Sequence, residues 1–413
     1  MQPKNYTVDQ HKIPLQKIDS DALFVIRELQ KAGYTSYLVG GSIRDLLLGH
    51  TPKDYDISTS ALPEEVKKVF RSRCILIGRR FRLAHIRFRN KIIEVATFRS
   101  GNIEGDDLIV NDNEWGTPAE DVLRRDFKIN GLFFDPSTET LIDYVGGFED
   151  SLNKTLQAIG EPYVRFKQDP VRMIRLIKFQ ARFDLTIDEK TKLDFLECRS
   201  EILKSSQARI LEELMRMLHS GSASKFMKLM SEYGLLEQLL PEISSFIEND
   251  KDETSFRFLA EIDSMLNKYS DLKIGRAILI STLLFPIIHK NVMDLTVERT
   301  KPPHIGLIQN IIRSHIESSF SAFFQLSRKI KSEILYLISW QYRLTPLKSE
   351  TKPNRKIPTS IQFVLALKFL NLRSRLNPEY QDVWSKWRDA YEEVKIDPGY
   401  FKTYKPRRRG KRR

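Results

Sequence analysis

Two carboxylates one residue apart, Asp54 and Asp56, follow soon after a glycine pair, Gly40-Gly41. In a strand, residues i and i+2 share a face. Asp54 and Asp56 would then stand side by side, turned away from Tyr55 and Ile57. Left unpaired, like charges at that distance repel, so the arrangement calls for a divalent cation. Mg²⁺ takes one or two carboxylates plus phosphate oxygens, and the upstream segment Leu38-Val39-Gly40-Gly41-Ser42-Ile43-Arg44-Asp45 suits a phosphate. Its glycines let a ligand approach the backbone closely. Ser42 and Asp45 have capping-box spacing at a helix start, the free amides of that start favour an anion, and Arg44 adds a cation. An Asp-rich turn or a plain strand–turn–helix would carry either half alone; their succession points to chemistry. A third carboxylate would complete a metal site, and two are available: Asp126, in Arg124-Arg125-Asp126-Phe127-Lys128-Ile129-Asn130, and Glu94, in Ile92-Ile93-Glu94-Val95. Arg125 and Asn130 have the chemistry to hold a ribose or a triphosphate.

A second constellation lies downstream, in Gln168-Asp169-Pro170-Val171-Arg172-Met173-Ile174-Arg175. Asp169 suits a helix N-cap and Pro170 the first helical position. Asp169, Arg172, Arg175 and Lys178 recur every three residues and give one polar face. A carboxylate and a guanidinium on such a face can hydrogen-bond a base edge without any template strand.

These groups need elements to position them. The sequence predicts an N-terminal arm over 1–20 and an α/β unit over 21–150. Strands are expected over 37–39, 55–58, 74–77, 83–88 and 92–98, with helices over 43–48 and 64–70. An acidic loop is expected over 98–115, then a helix from Ala119 to about Ile129 and a hairpin of 132–134 with 141–144. From Asp169 onward helical periodicity dominates, as in Met173, Ile174 and Ile177, and in Leu211, Leu214 and Leu218. A helical neck is expected over 151–220, a body over 221–345, a C-terminal region over 346–404 and a basic, low-complexity tail over 405–413. Breaks are expected near 249–253, 301–303 and 348–358. Trp384 and Trp387, at helical spacing, should pack a terminal helix.

The chain of 413 residues carries a net charge of +13. That excess fits a polyanionic partner, RNA or DNA ahead of an acidic membrane. Two cysteines, Cys74 and Cys198, exclude a disulfide framework and a Cys-rich zinc site, so a cytoplasmic setting is expected. The first twenty residues show no apolar core of a secretory signal. The best membrane candidate, 277–288, is interrupted by Ser281, Thr282 and Pro286. The segment Lys405–Arg413 holds seven basic side chains, a composition that binds phosphates without sequence preference.

Gly40-Gly41-x-x-Arg44-Asp45 with Asp54-x-Asp56 resembles the signature of class II nucleotidyltransferases, the polymerase-β-like family of bacterial CCA-adding enzymes and poly(A) polymerases. The Arg124–Asn130 run resembles the family's ribose-recognising motif, and the Gln168–Arg175 run its base-reading helix, although Gln168 and Lys178 stand where the family usually has Glu and Arg. The matches run in order from about Tyr37 to Phe183. The stretch Leu76–Ile86, with Arg79, Arg80 and Arg82, and Glu94–Arg99 after it, resembles the poly(A) polymerases within the family. His85, between apolar neighbours, is expected to be packed and hydrogen-bonded rather than a metal ligand.

The resemblance implies an α+β fold: a nucleotidyltransferase head with a small mixed sheet, followed by an all-α neck, body and tail. It implies addition of AMP from ATP to RNA 3′ ends, in RNA polyadenylation and turnover. The alternatives are CCA addition to tRNA and a non-catalytic RNA-binding protein on the same fold. In that reading Asp54 and Asp56 hold two Mg²⁺ ions, with Asp126 or Glu94 sharing one. Gly40, Gly41, Arg44 and Asp45 line the phosphates, Arg125 and Asn130 contact ribose or phosphate, and Asp169 and Arg172 read adenine.

Overall fold

The computed structural model describes residues 1–78, 83–89, 91–100, 114–269, 272–299, 302–320, 323–347, 357–358 and 360–396. The Arg79–Arg82 cluster, most of the acidic loop and the Lys405–Arg413 tail lie outside the described residues. The chain divides into two compact units, Met1–Ser205 and Ser206–Arg413. The first is α+β and the second is all-helical among the described residues.

The first unit is built on one mixed sheet. Its strands are β1 (Lys4–Tyr6), β2 (Ser36–Val39), β3 (Asp56–Thr59), β4 (Cys74–Ile77), β5 (Leu83–Arg87) and β6 (Ile92–Thr97). A small ribbon follows, β7 (Arg99–Ser100) with β8 (Glu114–Trp115), and then β9 (Leu132–Asp135) and β10 (Thr140–Asp143) complete the main sheet. The strand order is β1-β10-β9-β2-β3-β6-β5-β4. Every pair in it is antiparallel except β3 with β6. A parallel pair needs a crossover, supplied here by the Pro63–Phe70 helix and the β4–β5 hairpin. That crossover sets Asp56 opposite Glu94.

Alternation explains which side chains the sheet offers. Along β6, Ile93, Val95 and Thr97 are buried while Glu94 is exposed on the other face. Ile93 and Val95 pack against the Ser20–Lys31 and Pro63–Phe70 helices in one apolar cluster. Pro63 begins its helix at the position where a missing N–H costs nothing.

Two expectations change. Residues 1–20, read as an arm, are part of the fold: β1 pairs with β10 at the sheet edge, and Tyr6, Ile13 and Ile18 are buried in the core. The Tyr6 and Phe148 ring centroids lie 4.3 Å apart. The helix expected from Ala119 to Ile129 ends at Leu123. Phe127 is extended and bridges to Ala158, and its amide donates to its neighbour's carboxylate, Asp126 Oδ1, at 2.8 Å. That local bond competes with helix continuation. A 3₁₀ turn, Lys128–Asn130, follows.

In the second unit, helices run from Gln207–Leu218 to Gln381–Ile396. The expected breaks fall between Pro241–Asn249 and Thr254–Lys268, between Arg276–Glu298 and Ile305–Phe320, and between Arg328–Leu344 and Ile361–Leu376. Helix Arg276–Glu298 is long and apolar enough to cross a membrane, but most of its apolar stretch is buried in this unit's core. Pro286 lies inside that helix rather than ending it, and the Thr282 hydroxyl turns back to the Ile278 carbonyl at 2.9 Å. Trp387 is buried and Trp384 packs beside it.

Because Tyr6 is core rather than arm, Tyr6→Ala should cost about 2–4 kcal/mol of stability, read from urea unfolding of the full chain. An unchanged midpoint would restore the arm.

Candidate active site

A cleft of about 540 Å³ opens on the first unit. Its lining includes Gly40, Gly41, Arg44, Asp56, Ser58, Glu94, Arg125, Asp126, Asn130, Asp169 and Arg172, together with Arg175, Lys178 and Arg182. The cleft therefore brings together both constellations singled out in the sequence. Asp54 lies just before β3, exposed and outside the strand; it does not line the cleft on the strand face expected for it, and acts on the site through its charge beside Asp56.

Gly40 ends β2 with φ +65° and ψ −124°, a conformation that side chains resist. A Cβ there would come 3.1 Å from Arg125 Nη1, and that guanidinium has little room to yield. Its Nε and Nη2 donate to Asp121 Oδ2 at 3.1 and 2.7 Å, and Arg124 donates to Asp121 Oδ1. Burial would raise the Asp121 carboxyl, but the two guanidinia outweigh it and hold it below its usual range. Asp121 was not singled out in the sequence; its signal was the spacing of three and four to two arginines.

The Gly41–Leu47 helix is not capped as the sequence suggested. Gly40 takes the N-cap position, and the Ser42 hydroxyl donates to the Val39 carbonyl at 3.1 Å. Arg44 and Asp45 are buried and bound to each other. Arg44 Nε and Nη2 reach Asp45 Oδ1 at 2.9 and 2.5 Å, and its ring-facing sides meet Phe179 at 4.6 Å and Phe183 at 4.7 Å. Arg44 Nη1 donates to Asn130 Oδ1 at 2.8 Å. Asn130 Nδ2 in turn donates to Asp126 Oδ1 at 2.9 Å, and Arg175 pairs with Asp126 Oδ2 at 2.9 Å. At the other end Arg182 pairs with Asp45 Oδ2 at 3.0 Å. Six side chains thus form one polar chain, Arg182–Asp45–Arg44–Asn130–Asp126–Arg175. Burial would raise the Asp126 carboxyl, but Arg175, the Asn130 amide and the Phe127 N–H hold it below the usual range.

The Val171–Phe183 helix carries both ends of that chain. Its polar face does line the cleft through Arg172, Arg175, Lys178 and Arg182. Asp169 is not its N-cap; it closes the preceding helix, and Pro170 takes the cap position. Arg172 is buried, donating to the Arg165 and Arg124 carbonyls at 3.2 and 3.0 Å. Gln168 is buried and accepts from Arg165 Nη1 at 2.9 Å. Phe179 and Arg182 also line the cleft, four residues beyond Arg175 and Lys178 respectively, a helical spacing that the three-residue repeat does not capture.

The opposite wall is acidic. Glu94 stands beside Asp56 across the parallel pair, and His85 Nε2 lies 3.4 Å from Glu94 Oε1. Asp56 keeps a solvent-facing edge, yet the concave wall around it, with Glu94 and Asp54, raises its carboxyl to about 6 against a weaker pull from Arg125. No three His, Cys, Asp or Glu side chains among the described residues converge on one point, so these residues form no closed metal cage. A strained carboxylate pair facing cations fits an ion held by one or two carboxylates and completed by substrate phosphates, the habit of Mg²⁺. Asp126, by contrast, has its oxygens engaged by Arg175 and Asn130.

Residues 36–157 match the model of the poly A polymerase head domain. Residues 184–247 match that of a probable RNA- and SrmB-binding site of polymerase A. The Poly(A) polymerase I of Haemophilus influenzae is 38% identical over 260 residues, 60% of this chain and 58% of that protein. The CCA-adding enzyme of Enterococcus faecalis is 38% identical over 199 residues, 48% of each chain. The chain belongs to the nucleotidyltransferase family that holds poly(A) polymerases and CCA-adding enzymes. Its matches span about three fifths of the length of the Poly(A) polymerase I relatives. The crystal structure of the Bacillus stearothermophilus CCA-adding enzyme in complex with CTP superposes with a TM-score of 0.62 at 23% identity, covering 91% of this chain and 82% of that one. That likeness carries the fold, a polymerase-β-like head followed by helices.

Two outcomes test this geometry. Arg44→Met removes one partner of a buried ion pair and should cost about 3–5 kcal/mol, read from urea unfolding; a neutral change would mean the polar chain holds nothing. Asp56, with its raised carboxyl, binds its proton more tightly folded than unfolded, so in metal-free protein stability falls as pH rises from about 4 to about 6. Asp56→Asn should therefore raise Tm above that range and leave it unchanged near the lower end; a loss of Tm at neutral pH would contradict the crowding of these carboxylates.

Proposed function

We propose that the chain is a template-independent poly(A) polymerase, transferring AMP from ATP to an RNA 3′ end with release of pyrophosphate. The observation that carries the reading is the single cleft in which the Asp56–Glu94 wall faces the cationic side of the Val171–Phe183 helix. Adenylate transfer needs both walls, carboxylates for metal and cations for a triphosphate. The choice of poly(A) over CCA addition rests on the longer matches to Poly(A) polymerase I.

Asp54, Asp56 and Glu94 would hold Mg²⁺, two ions when substrate is bound. Bound there, the ions lower the pKa of the 3′-hydroxyl and stabilise charge on the triphosphate. Gly40 and Gly41 leave backbone room for phosphate oxygens, since a Cβ at Gly40 would meet Arg125. Arg125 would reach ribose or phosphate from its anchor on Asp121. Arg175, Lys178 and Arg182 would balance triphosphate charge from the facing helix. Asp169 and Arg172 would read the adenine edge, Arg172 already oriented by two backbone carbonyls. Arg44, Asp45, Asn130 and Asp126 would position rather than touch, because each is spent on the buried chain. The 3′-oxygen attacks the α-phosphorus, the bond to the β,γ-phosphates breaks, and pyrophosphate leaves.

The CCA-adding relatives keep a second reading alive. Incorporation should be measured with each NTP separately, on unstructured RNA and on tRNA lacking its end. The proposal expects long tails from ATP alone and near-background activity for Asp56→Asn. CTP incorporation on tRNA that halts once the CCA end is complete would assign the second reading. No incorporation from any NTP would leave a non-catalytic RNA-binding protein, and full activity of Asp54→Ala would sink the carboxylate assignment.

A further inference from the structure

The second unit contains a pocket of about 540 Å³ of its own, within the usual size range for a small organic ligand. Apart from Phe246 its lining lies beyond the residues matched by the RNA-binding model. At its back is Arg373, only 4% exposed. Its guanidinium is held by side chains on three sides. Nη1 donates to Thr345 Oγ1 at 2.9 Å and Gln341 Oε1 at 3.3 Å, and the Phe285 and Tyr380 rings stand 4.8 and 4.6 Å from its carbon. All of these partners are neutral. Among the described residues no carboxylate forms an ion pair with Arg373; Glu379 attracts it only from a distance.

A guanidinium stays charged wherever it is placed. Burying one without a counter-charge is costly, and removing the partner of such a charge is among the most destabilising changes a protein suffers. The aromatic faces offset part of that penalty. They do not neutralise the charge. The rest of the lining is mixed but positive on balance: Lys251, Arg257 and Lys290 are exposed at the mouth, against one exposed carboxylate, Asp252. Asp250 also lines the pocket, but its Oδ2 accepts from the Ser255 amide at 3.0 Å. His289, stacked on Phe285 at 5.2 Å and 11°, is pushed down to about 4 by burial and by Arg373, so it presents a neutral flat ring. Phe246 adds another ring at the rim. The pocket therefore offers a buried cation at depth, an excess of exposed cations at the mouth and flat aromatic surface between them.

We propose that this pocket binds a phosphorylated nucleotide, its phosphate on Arg373 and its base against the aromatic wall. A phosphate supplies the missing counter-charge, and base–aromatic stacking is tolerant of sequence. The ligand could arrive as a free mononucleotide or as one nucleotide of an RNA strand, with the same recognition chemistry. The inference does not depend on the chemistry of the cleft.

The test follows the His289 ring by NMR in the full chain, which holds seven histidines; His289→Gln identifies its resonance. AMP should shift that resonance saturably, and inorganic phosphate should bind roughly tenfold more weakly because it lacks the stacking contribution. Lys290→Glu, an exposed change that leaves the core intact, should weaken AMP by roughly tenfold. A short oligoadenylate that binds more tightly than AMP assigns the site to an RNA strand, and the reverse order assigns it to a free nucleotide; either supports the shared chemistry. Asp56→Asn should leave the His289 shift in place, so failure in the cleft cannot be mistaken for failure here. No shift with AMP or oligoadenylate, phosphate as tight as AMP, or indifference to Lys290→Glu would each overturn the proposal.

Discussion

The cleft depends on one buried polar chain, Arg182–Asp45–Arg44–Asn130–Asp126–Arg175. Both of its ends are on the Val171–Phe183 helix, and its middle is on the Gly41–Leu47 helix, the Lys128–Asn130 turn and Asp126 just before that turn. A buried charge is tolerable only when its partners are in place. Every link therefore constrains the next, and the helix can settle in few ways. Phe179 and Phe183 pack on Arg44 from the same helix, so apolar contact and charge pairing fix the same geometry. The consequence is functional: the helix's cationic face is held opposite Asp56 and Glu94.

The family signature thus divides its labour. Arg44, Asp45, Asn130 and Asp126 look from the sequence like groups for a ligand, yet they are spent on one another. The open groups are Gly40, Asp56 and Glu94, with the charge of Asp54 close by. Asp56 is held in a position it would not choose, its carboxyl raised to about 6 by burial and like charge. Such local instability is common where a site awaits a counter-charge.

Much of this was legible in the sequence. The Gly40-Gly41 turn, the strand at Asp56, the successive strands 74–77, 83–87 and 92–97, and the polar face from Arg172 to Lys178 follow from spacing and alternation. What spacing could not show was partnership. Arg44 and Asn130 are 86 residues apart, and nothing local says that they meet; hence Asp126 ranks ahead of Glu94 as the third carboxylate when spacing alone is read. Register separates them, because the parallel β3–β6 pair sets Glu94 beside Asp56 while Asp126 faces Arg175. The N-terminal residues misled for a related reason: an edge strand of three residues has a polar sequence, and only its pairing with β10 makes it structure. Beyond the helix end at Leu123 the Phe127 amide donates to the Asp126 carboxylate, a bond that competes with helix continuation and leaves no periodic mark.

The polar chain is most directly tested through Asp45, which joins Arg44 to Arg182 and in this structure faces no open ligand position of its own. Asp45→Asn preserves shape and removes the charge between the two guanidinia. Equilibrium binding of ATP with Mg²⁺ should weaken by roughly tenfold or more in a protein that remains folded, because the facing helix is no longer held. Wild-type affinity in folded Asp45→Asn would contradict the dependence of the cleft on this chain.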